Sequence, residues 1–189
     1  VESFSEFPEN GSQGGLTHSS VDKGRGRYIN RRPILRNIRQ WDAEAFGVSP
    51  FEASITDPQQ RVFLELAWEA LESAGYPAHG TDCVTGVFAG SNISTYLLNN
   101  LMSNSDVRNK MNDYQVELTN DKDALPLKVS YRLNLTGPSV AVQTFCSTGL
   151  VAAHQAIRSL RDRECDMALA GGISIRVPDH VGYIYQNGS

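Results

Sequence analysis

Apolar residues recur along the chain at spacings typical of alternating helices and strands. The clearest helix begins at Asp57, a good N-cap, followed by Pro58 at the first helical position and Gln60 at the third position of a capping box. Gly75 is the expected C-terminal stop. Between them lies one apolar stripe at three- and four-residue spacing: Phe63, Leu66, Ala67, Ala70, Leu71 and Ala74.

Short apolar runs that end in small residues predict buried strands. One runs from Cys83 to Gly90, a second lies around Val140 and Val142, and a third spans Asp166–Gly172. The alternation in Ile173–Val177 predicts a further strand. Because helical patterns separate these runs, the sequence predicts an α/β layered fold.

The remaining segments are less regular. Residues 1–27 are polar and glycine-rich, which predicts a flexible arm or loop. Trp41–Phe46 predicts one or two helical turns, ended by Gly47. We expect helices at Ser94–Met102 and Ala124–Leu133, with Pro126 in the first turn of the second, and a loop with a short helix at Ser103–Val116.

Composition excludes several classes of protein. The 189 residues carry a formal net charge of −4, which does not favour nucleic acid or an anionic membrane as a partner. No apolar run approaches the roughly 18 residues of a membrane span, and the acidic N-terminus is unlike a signal peptide. Three widely spaced cysteines predict neither disulfides nor a zinc site, so we expect a cytoplasmic protein without a bound metal.

Cys146 stands where the strand around Val142 ends and a helical pattern from Leu150 to Leu160 begins. The unpaired N–H groups and the dipole of a helix N-terminus stabilise a thiolate there. The same N–H groups can stabilise an oxyanion when that thiolate attacks a carbonyl. The alternative is that Cys146 is a small buried core residue, which local chemistry alone favours.

No histidine is paired with Cys146 by its spacing. His154 lies eight residues later, about 12 Å along the same helix at about 1.5 Å per residue, and we expect it to be a packed or capping residue. His18 falls in the polar arm, His79 in a loop, and His180 after Pro178 and Asp179. Asp121 and Asp123 most simply cap a helix.

Three segments resemble the N-terminal half of a β-ketoacyl synthase (ketosynthase) domain from modular type I polyketide synthases. The resemblance covers about residues 28–189 in the family's order. The first segment comprises Phe46–Ala53, Asp57–Arg61 and Leu64–Tyr76; the second comprises Asn120–Asp123 and Val129–Ser139; the third comprises Val142–Thr148 and Ala170–Gly172.

The resemblance implies a thiolase-like fold, layered αβαβα in the complete domain, with Cys146 as the acyl acceptor. An acyl chain would pass from carrier-protein phosphopantetheine to Cys146, and a malonyl-type unit would then extend it by decarboxylative Claisen condensation. The backbone N–H of Cys146 would be one oxyanion-hole donor. No bound cofactor is implied, because the carrier protein presents the substrate. A homodimer through Ser139–Phe145 and neighbouring synthase domains would be further partners.

The chain also departs from the family pattern. Phe145 stands where alanine is usual, and a bulky ring beside the nucleophile would narrow or reshape the acyl pocket. The candidates for the substrate pocket are Phe145, Thr144 and Ser147. Gly149 replaces a usual hydroxyl residue. No histidine matches the family's two catalytic histidines, which we expect beyond Ser189, so we expect 28–189 to be a partial domain inactive in condensation by itself.

Three alternatives stay open. A non-elongating ketosynthase would accept and pass on acyl chains and would lack a downstream catalytic histidine. A non-catalytic dimerisation or scaffold half-domain would only pack Cys146. A papain-like hydrolase would need a histidine that pairs with Cys146 in space.

Overall fold

The computed structural model describes residues 5–6, 27–77 and 82–185, with side chains for residues 28–77 and 82–185. The chain divides into two compact units, one of Val1–Asn37 with Arg176–Ser189 and the other of Ile38–Ile175. Most of the predicted arm at residues 1–27 lies outside the described residues, as do His18 and His79.

The smaller unit contains two antiparallel strand pairs in its described part. Strand β1 (Ser5–Glu6) pairs with β3 (Arg31–Arg32), and β2 (Arg27–Ile29) pairs with β7 (Tyr183–Tyr185). The Gly182 N–H donates to the hydroxyl of Tyr28 at 2.7 Å, which joins the chain before β7 to β2.

The larger unit is built on a three-stranded parallel sheet in the order β5-β4-β6. Its strands are β4 (Thr85–Ser91), β5 (Ser139–Ala141) and β6 (Met167–Ile173). Its helices are α1 (Pro50–Ile55), α2 (Pro58–Ser73), α3 (Ser105–Arg108), α4 (Asp113–Asn120), α5 (Ala124–Arg132) and α6 (Thr148–Arg161), with a π-helical turn at Leu97–Leu101.

Helices cover both faces of this sheet. Val87 and Ala89 of β4 belong to a core cluster with residues of α2 and α5, such as Leu64 and Leu125. Phe88, between them in the strand, instead packs with Val142 and with Ala152 and Ala156 of α6. Successive strand residues point to opposite faces, so α2 and α5 lie on one face and α6 on the other. The predicted α/β layering is confirmed.

Helix α2 confirms its predicted ends, with one difference. The carboxylate of Asp57 caps the helix by accepting from the Gln59 N–H at 2.7 Å, and Gly75 adopts a positive φ of 81°. The capping box does not form, because the Asp57 N–H donates to the Thr119 carbonyl. The amide of Gln60 donates instead to the carbonyl of Asp121 at 3.1 Å.

Four sequence predictions differ from the structure in whole or in part. The predicted second strand at Ile173–Val177 is wrong, because the sheet pairing ends at Ser91 and Ile173. Trp41–Phe46 forms turns without a regular helix, and Gly47, with a positive φ of 62°, follows them as predicted. The short helix expected within Ser103–Val116 is confirmed as α3, but the segment also contains the start of α4. The runs around Val140 and in β6 were expected to be buried. Val140 and most of β6 are only half-buried, with Ala170 and Gly172 exposed.

Candidate active site

Cys146 lies between the parallel sheet and helix α6. Strand β5 ends at Ala141, residues Phe145–Ser147 form one 3-10 turn, and α6 begins at Thr148. The thiol is exposed, so the alternative of a buried core cysteine is wrong for the described structure. The position is the carboxyl edge of a parallel sheet, where open α/β folds bind their ligands.

Side-chain hydroxyls hold the turn around Cys146. The Thr144 N–H donates to Thr148 Oγ1 at 3.0 Å, which ties the last residue before the 3-10 turn to the first residue of α6. The Ser147 hydroxyl donates to the Thr144 carbonyl at 2.7 Å, and the Ser147 N–H donates to the same oxygen at 3.2 Å. Thr144 and Ser147, two of the predicted pocket residues, are therefore already hydrogen-bonded within the turn.

Phe145 adopts a left-handed backbone conformation, with φ at 52°. This region is uncommon for a residue other than glycine, and strain of this kind is found at functional turns. The aromatic ring is 98% exposed, so no packing contact of the ring compensates for the backbone strain. This left-handed residue opens the 3-10 turn and stands directly before the nucleophile candidate.

The N–H of Cys146 was predicted to be an oxyanion-hole donor. Among the turn, loop and capping hydrogen bonds of residues 28–77 and 82–185, none uses this N–H. The neighbouring donors are engaged, since the Ser147 N–H binds Thr144 O and the Thr148 N–H binds Phe145 O. The role of the Cys146 N–H stays a prediction.

Two glycines lie beside the first turn of α6, and we call Gly90 and Gly172 the glycine seat. A Cβ at Gly90 would collide with the Val142 carbonyl oxygen and would lie 2.7 Å from the Thr148 methyl group. A Cβ at Gly172 would lie 3.6 Å from the same methyl group and 3.5 Å from the Gly149 nitrogen. Gly90 therefore sets how closely the first turn of α6 approaches the sheet, whereas a Cβ at Gly172 would make only ordinary van der Waals contacts.

Neither described histidine, His154 or His180, is shown in contact with Cys146 as a general base would be. His154 is an exposed residue of α6, so the expectation that it packs is wrong. His180 lies beside Asp179, with 2.9 Å between Nδ1 and Oδ1. Within the described residues, no three His, Cys, Asp or Glu side chains gather as a metal site would require, and all three cysteines are free.

Sequence reasoning missed a buried polar network behind the site. Asp57 and Gln59 at the start of α2 are buried, as are Ser94 and Asn120. Desolvation raises the pKa of the Asp57 carboxyl, against hydrogen bonds from Ser94 and Gln59 that lower it. The signal in the sequence was the pair Gln59 and Gln60 in the first turn of α2, which amphipathic spacing does not explain.

A charged cluster joins α1 to α5. Arg132 binds both carboxylate oxygens of Glu52, at 2.9 and 3.0 Å. Lys128 Nζ lies 3.7 Å from Glu52 Oε1 and donates to Thr56 Oγ1 at 3.4 Å. Desolvation, only partly opposed by Glu52, lowers the pKa of Lys128 to about 8.

The family model for the β-ketoacyl synthase N-terminal domain matches residues 1–188. The chain belongs to the β-ketoacyl synthase family. It is 46% identical over 168 residues to a phenolphthiocerol/phthiocerol polyketide synthase of Mycobacterium tuberculosis, covering 86% of this chain and 11% of that protein. It is 41% identical over 170 residues to polyketide synthase GfsA of Streptomyces halstedii, covering 88% of this chain and 2% of that protein.

Solved ketosynthases share this fold. Ketosynthase twelve of the bacillaene polyketide synthase of Bacillus amyloliquefaciens aligns with a TM-score of 0.71 and 27% identity, covering 92% of this chain and 30% of that one. The predicted thiolase-like fold of a polyketide ketosynthase is thereby confirmed. The chain spans about a tenth or less of the length of the relatives named above. No helix in the described part of the chain is both long and apolar enough to cross a membrane.

Proposed function

We propose that this ketosynthase chain carries the nucleophile of an acyl-transferring and condensing site in polyketide biosynthesis, with Cys146 as the acyl acceptor. The observation that carries the proposal is the exposed thiol of Cys146 at the carboxyl edge of the sheet, directly before α6. A helix N-terminus at this place favours both the thiolate and the oxyanion that forms when it attacks.

The chemistry proceeds in two covalent steps. The Cys146 thiolate attacks the carbonyl of an acyl thioester, the phosphopantetheine thiolate of the carrier protein leaves, and an acyl-Cys146 thioester remains. A malonyl-type thioester then loses carbon dioxide, and its carbanion attacks the acyl-Cys146 carbonyl. A carbon–carbon bond forms, and the Cys146 thiolate is released as the leaving group.

The residues around Cys146 divide between two roles. The hydrogen bonds of Thr144 and Ser147 support a role in shaping the turn, in addition to the pocket role predicted for them. The exposed ring of Phe145 supports a place beside the acyl chain, because it is adjacent to the thiol and packs on nothing in the described part of the chain.

The proposed partners are an acyl carrier protein, neighbouring synthase domains and a second copy of this chain, in the cytoplasm. The polyketide synthase relatives, which are many times longer than this chain, support the first two. Support for a homodimer through Ser139–Phe145 comes from β5, which lies at the edge of the three-stranded sheet, and from exposed Ser139.

Intact-protein mass spectrometry after incubation with a short acyl-pantetheine thioester tests the acyl transfer. We expect a single acyl adduct that is lost in Cys146→Ala and kept in Cys165→Ala. Cys165 is the matched control because it is buried, with its sulfur 3.4 Å from the Ser159 hydroxyl oxygen. An unmodified intact, folded protein, or an adduct that persists in Cys146→Ala, contradicts the proposal.

A further inference from the structure

The side-chain amide of Gln59 makes four hydrogen bonds, although the residue is only 1% exposed. Its Oε1 accepts from the Asn92 N–H at 3.1 Å and from the Ile175 N–H at 3.2 Å. Its Nε2 donates to the Asn92 carbonyl at 3.1 Å and to Asp57 Oδ2 at 3.3 Å. One side chain therefore uses its whole hydrogen-bonding capacity, of two acceptor and two donor positions, inside the protein.

These partners lie just beyond the carboxyl ends of two strands. Strand β4 ends at Ser91, directly before Asn92, and β6 ends at Ile173, two residues before Ile175. Gln59 is 33 residues from Asn92 and 116 residues from Ile175 in sequence. A hydrogen bond from the Asn92 amide to the Ser174 hydroxyl, at 3.3 Å, adds a direct link between the two segments.

The same two strand ends hold the glycine seat. Gly90 is two residues before Asn92, and Gly172 is three residues before Ile175. Both glycines lie against Thr148, whose hydroxyl accepts from the Thr144 N–H and so closes the turn that carries Cys146. A shift of either strand end would therefore be transmitted to the backbone of this turn.

We infer that Gln59 is a positioning residue for the acyl-transfer step, because it fixes the two strand ends on which the Cys146 turn rests. The inference depends on the proposed function of Cys146. Gln59 acts through the glycine seat, so its loss should disturb the geometry of thioester attack. The thiol itself should stay exposed and able to react with a small reagent that needs no oxyanion stabilisation.

Gln59→Glu tests the inference, because it keeps the shape of the side chain and removes both N–H donors next to the Asp57 carboxylate. Gln60→Glu is the matched control. Gln60 is the next residue of α2 and is also buried, but its amide binds the Asp121 carbonyl, away from the two strand ends. Both variants bury one added carboxylate, so the general cost of that charge is common to both.

Two rates are measured on intact, folded protein: acylation of Cys146 by an acyl-pantetheine thioester over a range of concentrations, and alkylation of Cys146 by iodoacetamide. For Gln59→Glu we expect the maximal acylation rate to fall at least tenfold, with the half-saturating concentration and the alkylation rate changed less than twofold. For Gln60→Glu we expect all three quantities to stay within twofold of the wild type. If Gln59→Glu does not fold, Gln59→Met, which adds no charge, is measured in its place.

The outcomes separate the two proposals. An unacylated wild-type protein overturns the proposed function. A wild type that is acylated, with Gln59 variants that are acylated equally fast, overturns the positioning role alone. Acylation and alkylation rates that fall together also overturn it, because a general loss of structure would explain both.

Discussion

Lys128 should destabilise the folded protein at neutral pH. Its side chain is 9% exposed, and its pKa falls from 10.5 to about 8, chiefly through desolvation. At about 1.4 kcal/mol for each unit of pKa, this difference corresponds to about 3 kcal/mol. Below pH 8 lysine is protonated in both the folded and the unfolded chain, so the whole penalty is present.

The pH dependence follows from the order in which the two states lose the proton. Between pH 8 and 10.5 the folded state deprotonates first, so the unfolded state binds more protons and the free energy of unfolding rises with pH. Above pH 10.5 the penalty from this group is gone. Methionine has a similar length and no charge. Glu52 would not be left without a partner in a Lys128→Met variant, because Arg132 donates to both of its carboxylate oxygens in the wild-type structure.

We therefore expect Lys128→Met to raise the free energy of unfolding at pH 7 by about 1 to 3 kcal/mol, after allowance for the lost contact with Glu52. Urea denaturation at pH 7, 8, 9 and 10 measures the difference between variant and wild type, which should shrink as the pH rises. Lys110→Met, at an exposed position, is the control for the loss of a lysine charge that is not buried. A Lys128→Met difference that is constant over this range, or a variant less stable by more than about 1 kcal/mol at pH 7, refutes the reasoning.

Two further substitutions test the Cys146 turn through stability. Gly90→Ala should lower the free energy of unfolding by at least about 2 kcal/mol, because the new Cβ would collide with the Val142 carbonyl oxygen. Gly149→Ala should raise it by roughly 0.5 kcal/mol, because a Cβ at this helical position has no atom within 4 Å. Equal effects of the two variants in urea denaturation would contradict the close approach at the glycine seat. Phe145→Gly should be about 1 kcal/mol more stable than Phe145→Ala, since only glycine adopts φ near 52° without strain. If Phe145→Ala unfolds at the same urea concentration as Phe145→Gly, or at a higher one, the backbone at position 145 is unstrained.

Patterns within a short segment correctly predicted the elements whose start, apolar face and end all lie within that segment. Helix α2 carries its cap, its apolar stripe and its terminal glycine within one short segment, and both of its ends are confirmed. The alternation in Ile173–Val177 failed because alternation does not reveal whether a neighbouring strand is available to pair. After Ile173 no partner in β4 remains, and the Ile175 N–H binds Gln59 instead.

The sequence predicted the position of Cys146 between a strand and a helix, but not the residues that hold the surrounding backbone in place. Cys146 falls between a strand and a helix in the sequence and in the structure. Its exposure depends on what surrounds the turn, and the spacing of apolar residues carries no information about that. Gln59 could not be identified from its own neighbourhood, because its partners lie 33 and 116 residues away.

The strand order of the larger unit has a consequence for synthesis on the ribosome. Central strand β4 is made before both of its neighbours, β5 and β6, so neither of its edges can pair when it emerges. The 76 residues from Ser91 to Met167 take roughly 4 to 15 s to translate at about 5–20 residues per second. Ser139 of β5 follows Ser91 by only 48 residues (139 − 91), so both edges of β4 are open for roughly 2 to 10 s, and the edge that β6 later covers stays open for the whole interval. An apolar strand with an open edge can pair with other chains, so the nascent chain has most need of chaperones before β6 is made.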